Sequence, residues 1–457
     1  MNLPMRTTET VPHRLDQERR TASPSSAALF ACACACVLAP RPAAAEAPGL
    51  VIGRYLVIHP GFTSELRYDS NVFFSNARAP GGLPVGAFVL RLSPTVSIAT
   101  TATGRGAPVV PRRVVFRVQG SLDYREFLSA DADIRAHRML GGELAATLAL
   151  FPQGTLGLEI YEHYQRTTQP PYSLLPYNFN RNLAVFGARG RYAPGSGRLI
   201  STLLLELGYD GYDDVDNGPK LSDFNVVFGN MALRSSWKFL PKTALYVELN
   251  QGFYHNLSPN AAVQQRSDSL PFRVGAGLLG LLTARLSMQL FGGYGNGFYL
   301  NGPSPSTGIV QVELRYKPTH FSAASLTYRH DFSNSVLGTY FDLDSVGAAY
   351  THSIFRVLMS ARLTWDRMAF RGSADVFRNA GVCKDGDIAP CDPQLDRIDN
   401  LIAADVRGEY PLREWLSLGA GYGLLTNQSN AYTRVRQAIT PVTFFKHEAF
   451  LRCTLRY

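Results

Sequence analysis

The chain has 457 residues, 46% of them hydrophobic and 18% charged, with a net charge of +9 and with 26 Phe and 22 Tyr against 3 Trp. This much apolar and aromatic material excludes a disordered chain and allows one large folded unit. The basic residues are scattered over alternate positions and form no stripe, which argues against nucleic-acid binding.

The first predicted element is an export signal. Arg14, Arg19 and Arg20 precede the apolar run AALFACACACVLA (Ala27 to Ala39), followed by Pro40, Pro42 and the small-residue stretch AAAEA. That order is the order of a secretory signal. Cleavage is placed after Ala45, with Ala47 as the alternative. Residues 1–45 are therefore read as signal peptide, 46–52 as a short periplasmic N-terminal segment and 53–457 as the folded unit. The apolar run is shorter than the roughly 20 helical residues that span a bilayer. No later segment reaches that length without charges or glycines, so an α-helical membrane protein is excluded. Removing residues 1–45 leaves 40 basic and 33 acidic residues, a net charge of about +7. Cys32, Cys34 and Cys36 leave with the signal, and Glu46 stands where a lipoprotein would need a cysteine. The few residues before Gly53 leave no room for a folded plug.

From Arg54 onward one unit repeats, a strand of alternating residues followed by a connector. The connectors FPQGT, APGSG, FLPKT, LTAR, KPTH, THSIF and YPLRE are short and rich in Pro or Gly. Between them lie longer polar loops, among them SNARAPGGL, YDDVDNGPKLSD and the stretch from Gly372 to Arg397, where Cys383 and Cys391 would pair in an oxidising compartment. Short turns at one end and long loops at the other are the organisation of an outer-membrane barrel. The expected fold is all-β, a transmembrane antiparallel up-and-down β-barrel of about 18 strands, with short periplasmic turns and long extracellular loops, in the outer membrane of a Gram-negative bacterium. Sixteen strands is the alternative, because TTATGRGAPVVPR (Thr100 to Arg112) is a long connector on the short side.

The strand faces point the same way. Val114, Phe116, Val118, Leu122 and Tyr124 alternate with Arg117, Gln119, Ser121, Asp123 and Arg125. The second set cannot face hydrocarbon, where a mid-membrane Arg costs about 2 to 4 kcal/mol. Carried along the chain, this alternation selects candidate pore-lining residues: Glu65, Arg67, Arg117, Asp123, Arg125, Glu143, Glu159, His163, Glu248, Glu313, Arg315, Arg329, Asp331, Arg362, Asp366, Asp405, Arg407, Glu409, Arg452 and Arg456. Inward Tyr161, Tyr246 and Tyr254 would offer sugars a stacking surface. Two aromatic girdles are expected. Phe151, Tyr192, Phe239, Tyr316, Phe321, Phe355, Tyr410, Trp415 and Tyr457 would mark the turn end. Tyr68, Tyr124, Phe127, Tyr164, Tyr209, Tyr328, Phe332, Tyr340 and Phe370 would mark the loop end.

HPGFTSELRYDSNVF (His59 to Phe73) resembles the first strand of the β-barrel porin-2 family, outer-membrane barrels associated with exopolysaccharide export. YRHDFSNSVLGTYFDLDSVGAAYTHSIF (Tyr328 to Phe355) looks like a later hairpin of the same family. The resemblance implies transport and favours polysaccharide secretion, with general diffusion or an occluded scaffold barrel as alternatives. Implied partners are outer-membrane lipid and lipopolysaccharide, the barrel-assembly machinery and periplasmic polysaccharide-export components. The last strand, FLRCTLRY, carries Leu455 and Tyr457 at the positions of a C-terminal assembly signal.

No catalytic, metal or cofactor site is expected. His330 and Ser333 in YRHDFSNS are three apart and point to opposite faces of a strand, so they cannot form a catalytic pair. Asp213, Asp214 and Asp216 have no histidine partner in view. A calcium loop starting at Asp214 would put Asn225 where a bidentate Glu is needed. GGYGNG (Gly292 to Gly297) sits in a strand pattern with no following helix to hold phosphate, so its glycines are read as relieving crowding in the wall.

Overall fold

Residues two apart on a strand share a face, so a chain of apolar and polar alternation that meets itself edge to edge builds a wall with two different sides. The computed structural model describes residues 49–53, 56–74, 84–100, 113–169, 179–214, 221–259, 268–300, 304–335, 339–371, 380–381, 397–430, 432–435 and 438–457. Eighteen long strands form the wall. They are β1 (Leu56–Asp69), β2 (Ala87–Thr100), β3 (Val114–Leu128), β4 (Met139–Leu150), β5 (Leu156–Gln169) and β6 (Phe179–Tyr192). Next come β7 (Leu199–Tyr212), β8 (Val226–Leu240), β9 (Thr243–Asn256), β10 (Phe272–Leu281), β11 (Leu286–Asn296) and β12 (Ser306–Tyr316). The last six are β13 (Ser322–Asn334), β14 (Tyr340–Ile354), β15 (Val357–Arg371), β16 (Arg397–Arg413), β17 (Leu416–Ser429) and β18 (Phe444–Arg456).

Each strand pairs antiparallel with the next, and β18 returns to β1 in the register Gly61↔Arg456 to Asp69↔Glu448, which closes the barrel. Closure removes the open edges that would otherwise leave backbone groups unpaired in lipid. Because the seam with β18 starts at Gly61, the lower part of β1 has a spare edge. The short strand Leu50–Ile52 folds back and covers it, pairing with Leu56–Ile58. β2 and β3 are separate neighbours paired through Ala99↔Arg117, so the count is eighteen and not sixteen.

At one end the connectors 151–155, 193–198, 241–242, 282–285, 317–321, 355–356 and 414–415 are short; the connector 101–113 is longer, and residues 101–112 lie outside the described residues. At the other end the connectors are mostly longer, and one of them carries the short helix α1 (Ala132–Ala136). Cys383 and Cys391 lie outside the described residues.

The outer face is apolar. Phe88, Leu122, Leu144, Leu207, Leu233, Leu363 and Leu451 stand exposed around the barrel. A continuous apolar belt of this kind far exceeds the few hundred Å² that soluble proteins leave uncovered. Each such side chain gains roughly 1.5 to 3 kcal/mol on leaving water, so lipid is its solvent. Phe151, Tyr192, Phe239, Tyr316, Phe321, Phe355, Trp415 and Tyr457 stand exposed at the turn end, and Tyr68, Tyr124, Tyr164, Tyr209 and Tyr328 at the loop end. The protein is an integral outer-membrane β-barrel.

The loop-end girdle departs from expectation at four positions. Phe127, Phe332, Tyr340 and Phe370 are buried. Phe127 shares its parity with Arg125 and Asp123, and Phe370 with Asp366, so both rings lie on the inward side of their strands.

Candidate functional site

The ladder register fixes which side chains look inward. Arg452, Glu65, Arg91 and Arg125 are successive cross-strand partners on β18, β1, β2 and β3, and residues directly opposite share a face. Continued around the ring, this places all twenty sequence-selected lining candidates on the side opposite the apolar belt. Most are paired locally. Arg189 meets Glu159 at 2.6 Å, His163 meets Glu143 at 3.3 Å, and Arg234 meets Glu248 at 3.6 Å. Arg407 meets Asp405 at 3.0 Å, Arg329 meets Asp331 at 3.6 Å, and Arg315 pairs with Glu313. Asp366 and Glu409 accept hydrogen bonds from Ser345 and Ser417 at 2.5 and 2.6 Å. Arg117, Arg362 and Arg456 have no ion pair among the described residues.

The charges concentrate at the closing seam. Glu65, 1% exposed, accepts from Arg67 at 2.7 Å and from Arg452 at 2.5 Å. Arg67 also pairs with Glu448, Lys446 lies 3.3 Å from Glu448, and Lys446 meets Asp69 at 2.6 Å. The Phe450 ring sits between the two guanidiniums, 5.1 Å from Arg67 and 5.0 Å from Arg452. The network alternates in sign between β1 and β18, so each buried charge has a partner on its own or the neighbouring strand, the condition under which buried ions are tolerated.

Above the seam, residues 70–74 (SNVFF) turn inward. Asn71 is fully buried; its backbone N–H bonds Asp69 at 2.9 Å and its amide donates to the Phe445 carbonyl at 3.0 Å. Val72 packs into an apolar cluster with Ala87, Val89, Phe127 and Ile134 of α1. Phe74 packs on the other side, against a cluster of Met368, Phe370, Leu401 and Phe444, with Lys446 Nζ 4.2 Å from its ring centre. Phe74 has φ 51°, a conformation that an L residue adopts only under local constraint. His137, after α1, is wedged edge-on against Phe73 at 5.0 Å, and burial holds its imidazole below the ordinary value. Further round the wall a third inward cluster joins Tyr299, Ile309, Phe332 and Tyr340. Beneath residues 70–74 lies a cavity of about 320 Å³, bounded by Val72, Phe74 and Phe127 together with the charged wall.

Several inward rings lie flat on glycines of the next strand. A Cβ on Gly187 would fall 2.3 Å from the Tyr161 ring, one on Gly277 2.4 Å from Tyr246, and one on Gly421 2.4 Å from Phe450. On Tyr246 the Arg234 guanidinium sits 4.0 Å above the ring. With 2% exposure, Tyr246 has no face left for a sugar to stack on. Tyr254 is stacked on Phe228 at 5.6 Å, and Tyr161 donates to Glu206. The glycines of GGYGNG relieve crowding at Gly293, where a Cβ would meet the Val274 carbonyl at 2.4 Å.

His330 is occupied by Asp344 at 2.7 Å and Thr307 at 3.2 Å, while Ser333 pairs in register with Phe341. Asp213 is held by Arg166 at 2.5 Å, and Asp214 accepts from Ser222 at 2.8 Å. Cys453 and Leu455 lie on the apolar face beside Leu418 and Leu416, and the Tyr457 N–H donates to the Pro60 carbonyl at 3.0 Å. Sequence reasoning missed Arg91, Asp69, Lys446 and Glu448. Arg91 follows the alternation of Phe88, Leu90 and Leu92 and could have been found by it; Asp69 was visible only as part of a motif.

No family model and no curated protein matches the chain. Among solved structures, it is similar in shape to OpdQ from Pseudomonas aeruginosa (TM-score 0.42, 10% identity, 88% of this chain and 97% of that one). It is similar also to the outer membrane protein OpdK from Pseudomonas aeruginosa (0.43, 10%, 88% and 99%) and to OccAB4 from Acinetobacter baumannii (0.44, 12%, 88% and 98%). At TM-scores below 0.5 these likenesses carry no functional argument.

Proposed function

We propose that the barrel is a channel that passes hydrophilic solute or polymer across the outer membrane, and that its cargo is an exported polysaccharide. The observation that carries the first part is the inward face itself, a ring of charged and polar side chains of both signs behind an apolar exterior. An eighteen-stranded wall is wide enough to enclose an aqueous path, and mixed charge would orient polar solutes without strong ion selectivity. The resemblance of residues 59–73 and 328–355 to the β-barrel porin-2 family supports the second part. On this reading residues 1–45 direct export, Leu455 and Tyr457 address the assembly machinery, and periplasmic export components are the partners.

Liposome swelling tests it. Vesicles carrying the barrel should swell in neutral and acidic oligosaccharides faster than empty vesicles, and equal rates would remove the reading. The three inward apolar clusters favour one second reading, a scaffold barrel with its lumen occluded at the loop end.

A further inference from the structure

We infer that the cavity under residues 70–74 is a binding subsite for the carboxylate of an acidic sugar. The inference rests on the lumen being a passage for hydrophilic solutes. Arg91 and Arg125 stand directly opposite each other on β2 and β3, and both face this cavity. Like charges opposite one another destabilise a sheet, and here the Asp123 carboxylate lies between the two guanidiniums and holds them together.

Asp123 is the carboxylate that both reach, and it is already saturated. One oxygen takes Arg91 and the Ser93 hydroxyl, the second at 3.1 Å; the other oxygen takes both the Nε and an Nη of Arg125 at 3.1 and 3.0 Å. Arg91 binds through Nε alone, so its two Nη groups have no partner among the described residues. They form the open, planar end of a guanidinium, the shape that binds a carboxylate through two parallel hydrogen bonds.

The balance of the whole cavity agrees. Arg67, Arg91, Arg125, Arg407 and Lys446 line it, against Asp69, Asp405 and Glu448. With Asp123 between Arg91 and Arg125 the positive excess is a single charge, which one carboxylate would balance. Val89 and Phe127 supply an apolar flank for the carbon skeleton. The volume, about 320 Å³, stands at the lower end of the range of roughly 300 to 1,000 Å³ for small-molecule sites, which suits a single sugar unit.

The test is titration of the detergent-solubilised full barrel with glucuronate, glucose and sulfate, followed by calorimetry or saturation-transfer NMR. Saturable glucuronate binding is expected, with none for glucose and little displacement by equimolar sulfate. Arg91→Gln should weaken it at least tenfold. Arg125→Lys, which keeps the charge and so protects folding, should weaken it severalfold, because the two-point hold on Asp123 that fixes the Arg91 guanidinium is lost. Absence of saturable binding, binding unchanged in both variants, or full displacement by equimolar sulfate would overturn the subsite. A barrel that binds glucuronate yet passes no solute keeps the subsite and loses the passage; a conducting barrel indifferent to glucuronate does the reverse.

Discussion

Lys446 shows how much one side chain carries at the seam. It lies buried between Asp69 at 2.6 Å, Glu448 at 3.3 Å and the Phe74 ring. Replacing it with Met would leave Asp69 buried without its cation, which typically costs about 3 to 5 kcal/mol, whereas removing both charges is often close to neutral. Lys446→Met should therefore lower the urea midpoint of the vesicle-embedded barrel strongly, and adding Asp69→Leu should restore most of it. His137 gives a pH response. Its imidazole is held below the ordinary value of about 6.5 by burial beside Phe73 and Phe127, so the unfolded loop takes up the proton first as pH falls. The docking of α1 is then fully stable above about pH 6.5 and weakens as pH drops through the folded value. Protection factors for the amides of residues 132–136, with the pH dependence of intrinsic exchange divided out, should be lower at pH 5 than at pH 7.5, and His137→Phe should flatten the difference.

At the level of the strand, the β10–β11 pair separates two kinds of glycine. A Cβ at Gly277 would meet the Leu290 carbonyl at 2.2 Å and the Tyr246 ring at 2.4 Å, while one at Gly292 would meet nothing within 4 Å. Gly277→Ala should destabilise the barrel by about 1 to 3 kcal/mol, the usual cost of overpacking, and Gly292→Ala should be tolerated. Heat-modifiability on gels distinguishes the two. The same scale explains what could be read from the sequence. Parity was legible, because one charged residue on a strand fixes the face of every second neighbour; Asp123 and Arg125 fixed β3 in this way. Phe127 lies near the strand end, where a girdle ring belongs, but shares the inward parity of Arg125, and parity decides its place. The SNVFF turn was illegible in principle. Its inward course is set by Asn71 bonding the Phe445 carbonyl, 374 residues away in sequence, and a segment without periodicity gives no warning of such a contact.

For the whole molecule, the closing seam and the inward wall are one design. The ion network of Glu65, Arg67, Lys446, Glu448 and Arg452 ties the first strand to the last and supplies part of the polar lining. The inward clusters narrow the loop end, and the proposed function requires a hydrophilic path that still runs past them. Single-channel recording of the purified barrel in a planar lipid bilayer tests this most directly. Discrete conductance steps with weak ion selectivity are expected, enlarged by Phe74→Ala, which trims the inward turn. A correctly folded barrel that carries no current at any applied potential, with or without Phe74, would contradict it.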